Sequence, residues 1–142
     1  MSSSTNGNPV AARLTRWVVT VHLLAVILHM AAAIVYVTAI AMASAGAATA
    51  YLLHARMAWV VLALGVLQAL AVINPALPGL HWMYRAFAIL VVIGELLELF
   101  AIPRGSFVNH VTVARVVWGC SLALYVRMLD PRWTAAPAAG TR

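Results

Sequence analysis

Four long apolar stretches, at 17–42, 51–73, 81–102 and 109–129, alternate with short breaks of polar, small or turn-forming residues. A helix crossing a membrane needs about 20 mainly apolar residues, because the hydrocarbon layer is about 30 Å thick and each helical residue rises about 1.5 Å. Each stretch reaches that length, so the pattern predicts four membrane-spanning helices. The breaks suit tight reversals. Ser44–Gly46 opens a small-residue loop, Asn74–Pro75 with Pro78–Gly79 makes a second, and Pro103–Arg104–Gly105–Ser106 a third. Proline cannot continue a helix and disfavours helical geometry one residue earlier. Connections this short make consecutive helices antiparallel neighbours, so the expected fold class is all-α, a polytopic membrane protein built as an up-down-up-down four-transmembrane-helix bundle.

The ends read as tails, an N-terminal one at 1–12 and a C-terminal one at 134–142, around a transmembrane domain at 13–133. Their small polar or Pro/Ala/Gly composition buries too little apolar area to offset ordering entropy. Arg13 and Arg16 before the first run, with Ala43–Ser44–Ala45 after it, resemble a signal peptide. The run is nevertheless nearly twice the usual 7–15 residues of such a segment, and it contains His22 and His29, so an uncleaved first span is expected.

Composition narrows the class. The 142 residues are 65% hydrophobic and 8% charged, against roughly 25% charged in soluble domains. A soluble globular protein, a disordered tail and a nucleic-acid binder are thereby excluded. The net charge of +6 comes from nine Arg and no Lys against Glu95, Glu98 and Asp130, and the Arg cluster near the ends of the runs. Arg13, Arg16, Arg85, Arg127, Arg132 and Arg142 fall on one side; Arg56, Arg104 and Arg115 fall on the other. The positive-inside rule then predicts both termini in the cytoplasm, with Trp17, Trp82 and Trp133 at the cytoplasmic interface. An Ala-, Val- and Arg-rich, Lys-free chain fits the plasma membrane of a high-GC bacterium.

The few ionisable residues carry the candidate chemistry. A charge inside a bilayer costs about 2.5–3.5 kcal/mol on insertion scales, so such groups face the bundle and pair. Counting residues along antiparallel helices places Glu95, Glu98 and Arg115 in the outer half, His54, Arg56, His110 and Tyr36 near the outer boundary, and His29 near the midplane. The expectation is one outer layer contributed by all four helices. Glu95 and Glu98, three apart, share a helical face. They form either a proton-handling or ligand-binding pocket with His29, Tyr36, Arg56 and Arg115, or a structural layer of ion pairs, Glu95 with Arg115 and Glu98 with Arg56 or a histidine.

His54 and His110, at the outer ends of two diagonal helices, suit the axial ligands of a b-type haem. His22 and His81 offer a cruder second pair, and an interfacial or hydrogen-bonded role is the alternative for all five histidines. Gln68, near the level of His22, reads as an interhelical hydrogen bond. Cys120 is the only cysteine, so no intrachain disulfide can form. No phosphate loop, zinc-ligand spacing or nucleophile motif is present.

The second run with its early His and Arg (LLHARMAWVVLALGVLQALAVI) and the fourth with another His (NHVTVARVVWGCSLALYVR) resemble an uncharacterised family of small actinobacterial four-helix integral membrane proteins. The likeness extends over about 17–132. It implies a membrane location and interest in His54 and His110, and it implies no activity.

Three readings follow. The first is a non-enzymatic accessory protein or binder of a lipophilic small molecule, within the bilayer, in a larger membrane complex or as a homo-oligomer. The second is an electron-transfer protein using haem or a quinone. The third is an intramembrane cyclase or isomerase of a lipid or terpenoid, with Glu95 or Glu98 as general acid and Tyr36, Trp59 or Trp118 steadying cations. A proton-coupled transporter is a further possibility. The haem expectation is checked by the visible spectrum of protein expressed with ample haem. A Soret band with sharp reduced bands, lost in His54→Ala or His110→Ala, supports it, and a colourless protein removes it.

Overall fold

Asn8 and Pro9 start the first helix by local chemistry. The Asn8 side-chain oxygen accepts from Val10 N at 2.9 Å and Ala11 N at 3.3 Å, and Pro9 occupies a first-turn position where its missing N–H costs nothing. In the computed structural model, which describes residues 8–75, 77, 80–101 and 106–130, this helix α1 runs over Pro9–Ala41. It therefore begins inside the stretch expected as a tail. Helix α2 spans Ala47–Ile73, α3 spans Trp82–Leu96 and continues into a π turn over Leu97–Ala101, and α4 spans Phe107–Leu129. The architecture is all-helical, with no strand among the described residues. The rest of both expected tails and most of the third break lie outside the described residues.

Three helices, Pro9–Ala41, Ala47–Ile73 and Val108–Leu129, are long and apolar enough to cross a membrane, with mean hydropathy of 2.4, 2.0 and 1.3 in their best windows. The third apolar run departs from the others. Its α-helix is only 15 residues long, and the π turn takes up the next five. A π turn holds one more residue per hydrogen-bonded ring than an α turn and recurs at functional positions. This one begins directly after Glu95–Leu96 and contains Glu98.

Contacts between neighbours establish the register. Residue numbers rise on α1 as they fall on α2: Thr15 Oγ1 reaches Ala71 O at 3.5 Å, while Tyr36 packs on Tyr51 with ring centroids 5.4 Å apart. Between α2 and α3 the same antiparallel order holds through Gly65 against Glu95 and Trp59 against Phe100. Between α3 and α4 it holds through Gly94 against Val117 and Tyr84 beneath the Arg127 guanidinium. Helix α4 closes back on α1. The bundle thus has a termini end, with Pro9, Ile73, Trp82 and Leu129, and an opposite end, with Ala41, Ala47 and Phe107.

Packing is apolar at the termini end. Val19, Ala69, Val72, Leu80, Ala88, Leu124 and Met128 form one buried cluster flanked by Tyr84, Phe87, Val92 and Tyr125. A second, smaller cluster of Ala25, Val26 and Val61, with Leu64 against it, lies between α1 and α2 nearer the middle. Gly94 keeps α3 close to α4, because a Cβ there would collide with Val117. The perimeter is also apolar: Leu14, Leu28, Ile34, Leu52, Leu70, Phe100 and Val126 are all exposed. Threonines inside the helices bond their own backbone, Thr20 to Arg16 O at 2.8 Å and Thr112 to Val108 O at 2.7 Å, which satisfies each hydroxyl within its own helix.

Helix α1 ends in a left-handed cap. Ala43 has φ of 49°, Ser44 N donates to Ala39 O at 2.9 Å, and Ala43 N donates to Ile40 O at 2.9 Å. A left-handed residue at this place is usually glycine, because a Cβ there costs roughly 1–2 kcal/mol. Ala43→Gly is therefore expected to stabilise the protein by about 1 kcal/mol, read as a raised thermal midpoint in detergent. An unchanged or lowered midpoint would contradict this account of the turn.

Candidate functional site

Seven residues make close to two helical turns, and α1 carries a polar residue at that interval: Thr15, His22, His29 and Tyr36. The interval keeps all four on one stripe, and that stripe faces the other helices. Thr15 and His22 are buried, at 2% and 0% exposure, and His29 and Tyr36 are half-buried. Each meets a polar or aromatic group from another helix, except that Thr15 meets a backbone carbonyl.

At mid-bundle the stripe meets α3. His22 Nε2 lies 2.8 Å from Glu95 Oε1, with the two side chains 0% and 4% exposed. The contact serves two protonation states. An imidazole N–H donates to the carboxylate, or a neutral carboxylic acid donates to the imidazole. Glu95 is held from the far side by α2, where a Cβ on Gly65 would overlap its carboxylate; glycine is the residue that lets the carboxylate fit. Gln68, fully buried, sits on α2 between Gly65 and Ala71, hence between the Glu95 level and the Thr15 level. Ser121, also fully buried, lies one turn from Val117 on the face of α4 that packs against α3.

Several buried atoms in this tier have no hydrogen-bond partner among the described residues: His22 Nδ1, Glu95 Oε2, both amide atoms of Gln68, and Ser121 Oγ. Buried polar atoms in folded proteins are overwhelmingly bonded, to protein or to water. Five such atoms around one ionisable pair mark a place built to hold polar occupants.

The second tier is a histidine cluster nearer the Ala41–Ala47 end. His29 and His54 pack edge to face with centroids 4.4 Å apart, His54 and His110 edge to face at 6.0 Å, and Tyr36 stacks on His54 at 6.2 Å. Three helices meet here. Among the described residues no group of three or more His, Cys, Asp or Glu is arranged to hold a metal ion. Glu98 lies between the tiers, one turn beyond Glu95 in the π turn, with Oε1 buried and unpartnered among the described residues.

The geometry corrects several expectations. Glu95 pairs with His22, not with Arg115, and Glu98 does not pair with Arg56. Both arginines are exposed, and the ion pairs among the described residues are His22–Glu95 and Arg127–Asp130, the latter at 2.5 Å. Long arginines can reach the bundle surface and its ends, so nothing forces them inward. The single outer layer becomes two tiers, because Glu95 lies level with His22 rather than with the outer histidines. His22 and His81 are not brought together: His81 is exposed and caps α3, its Nδ1 accepting from Met83 N at 3.3 Å. His54 and His110 are neighbours, as their helix-end positions suggested, but with His29 packed against His54. Sequence reasoning assigned no role to Ser121 and missed the partnership of His22 with Glu95. The seven-residue spacing on α1 was the available signal for that face.

One open groove of about 630 Å³ lies elsewhere, between α3 and α4 at the termini end, with Tyr84, Phe87, Gly119, Leu122, Arg127 and Asp130 in its wall. No family model, curated protein or solved structure matches the chain.

The buried pair makes a stability prediction. His22→Ala or Glu95→Ala alone is expected to cost about 3–5 kcal/mol, since each strands a buried polar partner, whereas the double His22→Leu/Glu95→Leu replacement recovers most of that. Thermal unfolding of the three variants in one detergent checks it. A double mutant as unstable as the sum of the singles would refute the pairing.

Proposed function

We propose that the protein is a multi-pass membrane protein, its four helices crossing a bacterial plasma membrane up and down with both termini cytoplasmic, and that its functional centre is an intramembrane proton-binding site. In this reading His22 and Glu95 hold a proton between them, Gln68 and Ser121 orient its polar surroundings, and Glu98 lies within one turn. The observation that carries it is the 2.8 Å contact between two ionisable side chains that are 0% and 4% exposed. Six against three arginines at the two sides support the orientation, and the exposed leucines, isoleucines and valines support a lipid surround.

The acid-catalyst reading draws less from this packing. A lipid or terpenoid would have to reach a carboxyl already covered by His22 and by the backbone at Gly65. The haem reading keeps His54 and His110 as ligands. It asks a flat macrocycle to come between two rings that lie 6.0 Å apart, edge to face, with His29 against one of them. Binding of a lipophilic molecule is favoured by one separate feature, the groove beside Gly119, where a Cβ would meet nothing within 4 Å. Gly119→Leu is expected to displace a lipid that co-purifies there, read by native mass spectrometry.

The proton-site reading is tested by infrared difference spectroscopy on protein in lipid across a pH titration. A carbonyl-stretch band of a buried carboxylic acid is expected to grow on acidification, to shift with isotopically labelled glutamate and to vanish in Glu95→Gln. A titration with no carboxyl band in the wild-type protein would sink the reading.

A further inference from the structure

Resting on the proton-site reading, the geometry points to a proton path that reaches the His22–Glu95 pair from one side only, through His110, His54, His29 and Glu98, and ends there. The two ends of the bundle differ in what stands between the pair and the surface. Toward the termini end lies the large buried cluster of Val19, Ala69, Val72, Leu80, Ala88, Leu124 and Met128, drawn from all the helices and the α2–α3 turn. The buried polar groups on that side are Gln68, Ser121 and Thr15, while Arg16, Thr20, Tyr84, Arg85, Tyr125 and Arg127 are half-buried toward the same end. The Thr15 hydroxyl is engaged by Ala11 O at 2.9 Å and Ala71 O at 3.5 Å.

Toward the other end the polar groups continue to the surface. His29 lies two turns beyond His22 on the same stripe, roughly 10 Å along the helix. It touches His54, which touches His110, and both of these are half-buried where Tyr51 and Asn109 are exposed. One interruption separates this ladder from the pair. Ala25 and Val26 follow His22 on α1 and pack on Val61 of α2, closing the α1–α2 side with carbon. Glu98 stands past Glu95 on the α3 side of that layer, carried by the π turn, with a buried oxygen unpartnered among the described residues. A proton leaving the histidine cluster must cross this level, and Glu98 is the ionisable group positioned to relay it.

The titratable groups around the route come from every element packed there: His22, His29 and Tyr36 on α1, Tyr51 and His54 on α2, Glu95 and Glu98 on the third apolar run, and His110 on α4. Arg56 and Arg115 are exposed. Proton transfer along the route makes and breaks only O–H and N–H bonds. Each group gains one proton as its neighbour loses one, so the balance needs no co-reactant.

Two measurements test this. In wild-type proteoliposomes of phosphatidylcholine and phosphatidylglycerol carrying an internal pH dye and a potassium diffusion potential, proton flux is expected to equal that of protein-free vesicles. Opening the apolar end with Val72→Ser/Leu124→Ser should raise it at least tenfold. In time-resolved infrared after a pH jump, protonation of Glu95 is expected to slow at least tenfold in Glu98→Gln. The final amplitude should be unchanged, showing that the pair itself is intact. His54→Gln gives a second variant, expected to slow protonation in the same way, should Glu98→Gln not fold. Wild-type flux well above background would overturn the one-sided path. So would an unchanged protonation rate in both Glu98→Gln and His54→Gln. Absence of the Glu95 band in wild type would instead strike at the proton-site reading, and the two failures are therefore distinguishable.

Discussion

His22 and Glu95 are each ionisable, each buried, and joined by one hydrogen bond across the bundle from α1 to α3. In apolar surroundings neither could be left alone without a large desolvation cost. Their pairing therefore sets which face of α1 and which face of α3 turn inward. Other features follow from it. A glycine must stand at position 65 so that the carboxylate has room, Gly65 holds α2 at that level, and Gly94 next to Glu95 draws α4 close through Val117. One polar contact thus orients four helices whose perimeters, largely apolar, carry little orientational information of their own.

That division of labour is compatible with the lipid surround proposed above. Where the solvent is as apolar as leucine, burying leucine gains little, and helices associate through small residues and buried polar contacts instead. The glycines at 65 and 94 and the His22–Glu95 bond are contacts of this kind. The arginines do something different. Arg13, Arg85 and Arg127 sit near helix ends, where a long side chain can reach out from the bundle, and Arg127 is occupied by Asp130 and the Tyr84 ring at the termini end; Arg56 and Arg115 stand exposed well inside α2 and α4.

The two polar tiers are kept apart by the same economy of contacts. A carbon layer of Ala25, Val26 and Val61 fills the α1–α2 side between them, while the π turn on the opposite side carries Glu98. The third apolar run gives up regular α-geometry at that place. The π turn is the last described turn of the third helix, and it begins directly after the buried Glu95 and its neighbour Leu96.

Length and apolar periodicity alone determined the number of helices, their approximate limits, their antiparallel order and the confinement of charge to few positions. These depend on hydrophobic run length and on proline, glycine and asparagine at the breaks, all local properties. Asn8 and Pro9 even mark the start of α1, although the polar stretch around them reads as a tail. What the chain could not show by itself was helix rotation. Rotating an evenly apolar helix changes its burial little, so the inward face is decided by which polar side chains find partners, and partners come from other helices. Counting residues from assumed helix starts put Glu95 level with Arg115. Tertiary packing keeps Glu95 near that level, since Gly94 meets Val117, but gives it His22 as its partner, because the imidazole lies on a buried stripe within reach while the Arg115 side chain is exposed.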